Sequence, residues 1–244
     1  MVGEMTEPTV LYSKEAHVAR ITLNRPRVIN AYNMQMRDEL YELLSAANDD
    51  ADVRVLVLSG SGERGFCAGA DLTEFGTAPS LAVARQVRWE RDIWGLFLSI
   101  RKPMIAAVHG FVVGSGVEMA CLCDIRIASD DAVFSMPEVA LGMIPAAGGT
   151  QTLPRVVGVA STLELVLTNR RVSAEEAERI GLVHQVVPKG DLSKTANSLA
   201  QELAARDPAV LSAAKTAIVD GLDLHLDDGL GLEDRLVMAV NANA

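Results

Sequence analysis

Apolar residues in this chain follow two spacings, and the alternation between them predicts its elements. Thr9–Ser13 and His17–Leu23 alternate apolar and polar positions around Lys14-Glu15-Ala16, which predicts a β-hairpin. Asn33 precedes Met36, Leu40, Leu43, Leu44 and Ala47, a helical spacing with a capping residue in front. Val53–Leu58 and Met104–Val108 are nearly unbroken apolar runs, as expected of strands covered on both faces. Glycine-rich loops follow both, one from Gly60 to Asp71 and one beginning at Gly114. Ser80 opens a predicted helix to about Ser99, and Pro103 ends that region. Gly114–Leu122 reads as a short helix, Asp124–Ala128 as a strand and Phe134–Met136 as a strand fragment. Helices resume near Thr150 and over Val159–Leu167. Ser173-Ala174-Glu175-Glu176 is a capping box ahead of a helix that Gly181 stops. Val183–Val187 is a last strand, and the remainder is helical, with Pro208 at a helix start. Strand, glycine loop and helix recur without a linker. The expectation is one α/β core over residues 1–187, with a helical region over 188–244 that is not an independent domain.

Composition narrows the function classes. A chain of 244 residues that is 49% hydrophobic can bury a core without a disulfide or metal staple. The formal net charge of −10 argues against a nucleic-acid partner, because phosphate backbones demand basic stripes. Cys67, Cys121 and Cys123 make no zinc-like double pair, so reduced core thiols in a cytoplasmic protein are expected and no metal site is. Met1–Val10 carries Glu4 and Glu7 instead of a basic region followed by an apolar run, so it does not read as a signal peptide. Met104–Cys123 is long enough to span a membrane, but Gly110, Gly114, Gly116 and Glu118 lie inside it. Strand, turn and buried helix fit that stretch better, and no membrane association is expected.

The candidate chemistry sits in this middle region. Cys67-Ala68-Gly69-Ala70-Asp71 and Gly114-Ser115-Gly116-Val117-Glu118 are loops leaving strand ends, where α/β proteins place ligands. Small residues let a ligand approach backbone N–H groups, and two such donors from separate loops suit the oxygen of an enolate. Plain turn chemistry is the alternative. Glu118 lies in the most apolar part of the chain, where a carboxyl must be paired, protonated or functional. Its readings are a general acid or base, or a structural pair with Arg126. Glu138 follows Met136-Pro137, either aimed into a cleft or capping the following turn. The four histidines, His17, His109, His184 and His225, form no cluster, and Ser115 is not in a nucleophile-elbow motif. Trp89, Trp94 and Phe97 read first as helix core and second as the wall of an apolar acyl pocket.

Together these segments resemble the crotonase (enoyl-CoA hydratase/isomerase) superfamily. The resemblance rests on Asn24-Arg25-Pro26 with Asn30-Ala31, Phe66 through Leu72, Lys102 through Val108 leading into Gly114–Glu118 and Cys123-Asp124, and Pro137-Glu138 with Leu141-Gly142 and Gly148-Gly149-Thr150. It implies a ββα spiral core, acyl-coenzyme A thioester substrates, no cofactor besides the coenzyme A of the substrate, and a homotrimer or dimer of trimers. By motif match it implies that the N–H groups of Ala68 and Ser115 polarise the thioester carbonyl. Glu118 and Glu138 are then the acid/base pair of an enoyl-CoA hydratase, Glu118 chiefly activating water and Glu138 delivering a proton. Ala68, Gly69, Ala70, Asp71, Ser115, Gly142 and Arg27 are implied substrate contacts, and Phe75, Trp89 and Ile93 an acyl pocket. Arg25, Arg64, Arg101 and Lys102 are further candidates for the phosphates of the coenzyme. Other reactions on this fold are dehydration, double-bond isomerisation and thioester hydrolysis; a non-catalytic acyl-CoA binder is a further reading. One departure stands out: Asp220–Asp234 carries six acids and no Lys or Arg, where relatives often carry basic groups.

Overall fold

A computed structural model describes residues 7–242; most of the N-terminal segment discussed above, Met1–Val10, lies outside them. β1 (Val10–Glu15) and β2 (Val18–Leu23) form the expected hairpin. Its turn falls later than predicted, at Ala16 and His17, whose φ values are 48° and 66°. Two residues at positive φ match the right-handed twist of a hairpin, so Lys14 and Glu15 remain in the ladder. α1 (Met34–Asp49) starts where Asn33 Oδ1 accepts the Met36 N–H, and buries Met36, Leu40, Leu44 and Ala47. β3 (Val55–Gly60) pairs parallel with β2.

The single helix expected over residues 80–99 is two. α2 (Leu81–Glu90) ends at Arg91, and α3 (Ile93–Ser99) restarts where the Asp92 carboxylate accepts the Gly95 N–H. The break separates the aromatic residues: Phe97 is buried, Trp94 packs on Tyr32 with ring centroids 5.6 Å apart, and Trp89 is 80% exposed.

From here a strand of a large sheet, a strand of a small sheet and a helix recur. β4 (Met104–Val108), β5 (Phe111–Val113) and α4 (Ser115–Cys121) make one such turn. β6 (Ile125–Ser129), β7 (Val133–Ser135) and α5 (Gly149–Thr168) make the next. α5 is interrupted at Gly158 (φ 78°), as its separate sequence segments imply. β8 (Val172–Ser173), α6 (Ala174–Arg179) and β9 (Gln185–Val187) follow, with Ser173 capping α6 through the Glu176 N–H. The large sheet has the order β1-β2-β3-β4-β6-β9 and is parallel beyond β2, while the small one has the order β5-β7-β8. Bridges from Gly65 to Gly110 and from Cys67 to Val112 join the loop after β3 to β5. That loop is thereby the first turn of a ββα spiral.

Both faces of the central strands are covered. Leu56, Leu58, Met104, Ala106 and Val108 face the main core with α1 and α3, while Val55, Val57, Ile105 and Ala107 face α7 (Leu192–Ala204). α7 offers Leu192, Ala196, Ala200 and Ala204 at four-residue spacing, so small side chains bring helix and sheet close. The helical region beyond residue 187 therefore begins inside the core. α8 (Pro208–Gly221) and α9 (Leu226–Asn241) pack on each other outside it. Lys215 ties α8 down, donating to Asp124 Oδ2 (2.8 Å) and the Lys102 carbonyl (3.1 Å).

The acidic 220–234 segment has local partners. Arg101 holds Asp220 and Arg155 holds Asp223, each at 3.1 Å. Asp227 and Asp228 sit in the first turn of α9, where the helix dipole favours negative charge. The three cysteines are buried free thiols, and burial pushes each up to about 12. Among the described residues no helix is long and apolar enough to cross a membrane, and no cluster of three or more His, Cys, Asp and Glu is arranged to hold a metal ion.

Candidate active site

The spiral brings the two glycine loops into contact. Cys67 N–H donates to the Phe111 carbonyl (3.1 Å) and Val113 N–H to the Cys67 carbonyl (2.9 Å), laying the first loop along β5. Gly69 (φ 95°) and Gly114 (φ 49°) meet there; a Cβ on Gly114 would stand 3.7 Å from the Gly69 Cα. A Cβ on Gly116 would come within 2.8 Å of the Cys67 carbonyl oxygen, so α4 is seated directly on the first loop. Glycine is required on conformational grounds at Gly69 and Gly114 and on space at Gly116.

One donor assignment changes. Ala68 N–H donates to the Ile29 carbonyl at 2.8 Å, so it is occupied by the fold and does not serve as an oxyanion donor. Ala70 N–H, on the peptide immediately after Gly69, has no partner among the described residues. Ser115 N–H, on the peptide immediately after Gly114, is the first amide of α4 and likewise has none. The first four N–H groups of a helix lack intrahelical acceptors, which leaves this one available. The pair flanking the Gly69–Gly114 contact is therefore Ala70 and Ser115.

Glu118 is 3% exposed, one helical turn into α4. Its Oε1 accepts N–H groups from Ala147 (3.0 Å) and Gly149 (2.9 Å). The structural pair with Arg126 does not form: Arg126 donates to the carbonyls of Leu182 and Cys123, both at 2.7 Å. Glu138 opens a 3-10 turn (Glu138–Leu141), and its Oε1 lies 2.6 Å from where a Cβ of Gly114 would stand. Its Oε2 is buried without a hydrogen-bond partner, and burial raises the carboxyl above its ordinary value. The Glu138 carboxyl thus borders Gly114, while Glu118, whose own N–H donates to the Gly114 carbonyl (3.0 Å), turns its carboxylate to Ala147 and Gly149. The chain from Glu138 to Gly149 runs from one carboxyl to the amides that hold the other.

Gly149 adopts ordinary helical geometry, yet its Cβ position lies 2.7 Å from Glu118 Oε1. Gly149→Ala is expected to push that carboxylate aside and lower kcat about 10²-fold, the scale for misplacing a catalytic group by ~1 Å. Steady-state kinetics beside an unchanged circular-dichroism spectrum checks this.

Other predicted contacts are placed differently. The Asp71 carboxylate serves its own loop, accepting from Arg25 (2.9 Å) and from Thr73 Oγ1 (2.7 Å). Arg25 is thereby internal, not a phosphate contact, and Lys102 donates to the carbonyls of Ala47 and Asp50. Arg27 and Arg64 are exposed, as is Gly142, which caps the 3-10 turn in left-handed geometry. Ile93 is core packing at 1% exposure, whereas Phe75 and Trp89 are exposed, so the three do not form a pocket wall. Cavities of about 600 and 770 Å³ lie elsewhere, beneath α7 beside Arg20 and between α3, α5 and α8, and neither takes in a candidate glutamate.

Sequence reasoning assigned no role to Asn30, which holds the site together. Fully buried at φ 53°, it donates to the carbonyls of Ser61, Gly65 and Phe66 and accepts the Arg25 N–H. Its signal is a single amide between Ile29 and Ala31, a residue type that tolerates left-handed backbone.

Comparison with known proteins agrees with this geometry. The sequence profile described as enoyl-CoA hydratase/isomerase matches residues 13–244. The short-chain-enoyl-CoA hydratase of Clostridium acetobutylicum is 38% identical over 92% of this chain and 86% of its own length. The crotonyl-CoA hydratase of Syntrophomonas wolfei is 34% identical over 94% and 88%. The crystal structure of an enoyl-CoA hydratase from Bacillus anthracis superposes with a TM-score of 0.90 at 37% identity, covering 96% of this chain and 91% of that one. Spiral fold, glycine-loop junction and sequence profile agree: the chain belongs to the enoyl-CoA hydratase/isomerase family of the crotonase superfamily.

Proposed function

We propose that this chain is an enoyl-CoA hydratase that adds water in syn fashion across the 2,3 double bond of a 2-enoyl-CoA thioester. The observation that carries the proposal is a pair of carboxyls in unlike settings, Glu138 against Gly114 and Glu118 on the helix that Gly114 opens. Glu138 is buried with an unpartnered oxygen, and burial favours its protonated form. Glu118 is held by two backbone N–H groups, which complement a negative charge. Paired titratable groups in contrasting environments are how one site runs acid and base chemistry together.

In this reading the thioester oxygen lies between the N–H groups of Ala70 and Ser115. Water attacks Cβ as Glu118 takes its proton, the Cα=Cβ π pair moves toward the carbonyl, and the resulting enolate oxygen is held by the two amides. Glu138 then protonates Cα, and the proton on Glu118 passes to Glu138, directly or through solvent, which restores both groups. Donor geometry at developing charge and proton transfer from the attacking water and to Cα supply the catalysis; no further cofactor is invoked. The names of the two relatives make short 2-enoyl chains the substrates of first choice. With crotonyl-CoA, the conjugated enoyl-thioester absorbance is expected to fall as 3-hydroxybutyryl-CoA appears and no free thiol is released. Thiol release, or binding without turnover, would contradict the assignment.

The assembly in this reading is a homotrimer or a dimer of trimers in the cytoplasm. Supporting it, Leu222, Leu226, Leu230 and Met238 on and between α8 and α9, and Val159, Leu163 and Leu167 on α5, leave large apolar surfaces exposed in one chain. Light scattering is expected to give about 78 kDa or twice that, from a 26.0 kDa chain. Met238→Asp should shift the population toward monomer, and a monodisperse monomer of the unaltered protein would rule the assembly out.

A further inference from the structure

Arg25 has no place in the acid/base chemistry, yet its guanidinium heads a chain of hydrogen bonds that ends in the site. Its Nη1 donates to the Ala31 carbonyl at 2.5 Å. The same peptide group carries the Tyr32 N–H, which donates to the Gly69 carbonyl at 2.8 Å. That second peptide group carries the Ala70 N–H, which has no partner among the described residues. In a trans peptide the C=O and N–H point in opposite directions, so the two groups lie head to tail. The order is guanidinium, peptide 31–32, peptide 69–70, open N–H.

The two ends are fixed independently. The Tyr32 carbonyl accepts the Asp71 N–H at 2.8 Å, so the Tyr32 backbone grips the loop on both sides of Ala70. Asp71 Oδ2 takes the same Arg25 Nη1 at 2.9 Å, and Arg25 N–H donates to Asn30 Oδ1 at 2.8 Å. Arg25 and Asp71 side chains are 22% and 14% exposed, so water screens the arrangement weakly. A cation at the acceptor end of such a chain polarises each successive bond in the same direction and strengthens the last donor.

We propose that Arg25 is a positioning residue that, through the peptides 31–32 and 69–70, orients and polarises the Ala70 N–H as an oxyanion donor. This rests on the reading of Ala70 and Ser115 as the donor pair. It separates Arg25 from a general structural role, because the effect is electrostatic and directed at one amide.

The test uses a conjugated dienoyl-CoA, whose absorption moves to longer wavelength when its carbonyl is polarised, bound to the full-length protein. Arg25→Met is expected to retain binding within a few-fold, lose much of the red shift and lower kcat about 10- to 100-fold with little change in KM. Arg25→Lys keeps a cation on the chain and should recover part of both losses. Asp71→Asn, which removes only the counter-charge, should keep the shift. Loss of the shift equally in Arg25→Met and Asp71→Asn, or its full retention in Arg25→Met, overturns the proposal. So does an unaltered protein that binds the probe without any shift. Because the shift is read without turnover, an unaltered protein that shows it but does not hydrate crotonyl-CoA contradicts the hydratase reading while the Arg25 comparison still stands.

Discussion

Glu118→Gln is expected to lower the hydration rate about 10²–10⁴-fold, the contribution of a positioned general base, with substrate binding little changed. The substitution is close to isosteric. The glutamine carbonyl oxygen can accept the Ala147 and Gly149 N–H groups that now reach Oε1, so the loop leading into α5 keeps its anchor. What is lost is the capacity to take a proton from water. The mutant should melt near the unaltered protein, and kcat should carry the loss. A variant retaining more than about a tenth of the activity would remove Glu118 from the chemistry.

Glu138→Gln should cost turnover on the same scale but, unlike Glu118→Gln, raise stability. Burial raises the Glu138 carboxyl in the folded state above its ordinary value, so the folded protein binds this proton more tightly than the unfolded chain does. The stability that depends on it is present in full below the unfolded value and is lost as pH rises through the folded one. Above the unfolded value the native state therefore pays to keep this proton and, once the proton is lost, carries a desolvated carboxylate with an unpartnered oxygen. A neutral amide removes that charge, so the melting temperature of Glu138→Gln should exceed that of the unaltered protein at pH 7–8, by roughly 2–4 °C per kcal/mol recovered. The gain should shrink toward zero near pH 4. A mutant no more stable at pH 8 than at pH 4, relative to the unaltered protein, would mean that Glu138 is satisfied in the resting site. Stability gained where activity is lost is the expected mark of a functional group held at an energetic disadvantage.

Much of this arrangement was legible in the residues themselves. The apolar runs around Val57 and Ile105 signalled strands covered on both faces, and the sheet buries them so. Asn33, Ser173 and Pro208 announced helix starts that stand where expected, because capping is local chemistry. Glu118 and Glu138 stand out in the sequence as lone acids in apolar surroundings, but the placing of Glu138 against Gly114, the residue that opens the helix of Glu118, depends on a crossover between two sheets that spacing does not encode. The apolar pattern hides the break at Asp92, because Trp89, Ile93 and Phe97 continue a helical period across it; the Asp92 side chain capping Gly95 decides otherwise. The motif match points to Ala68 as a donor, and only the long-range bond to Ile29 shows that its N–H is taken. The acid surplus of 220–234 looked anomalous until Arg101 and Arg155, more than 60 residues away in sequence, supplied partners for two of its members.

The central claim, that two glutamates beside a pair of backbone donors add the elements of water across an enoyl thioester, is tested most directly by following crotonyl-CoA turnover in D₂O by NMR. The predicted product is 3-hydroxybutyryl-CoA carrying one solvent deuteron at Cα, on the same face as the new hydroxyl at Cβ. Deuterium at Cγ of recovered substrate with no oxygen at Cβ would show proton shuttling without hydration, and would contradict the account.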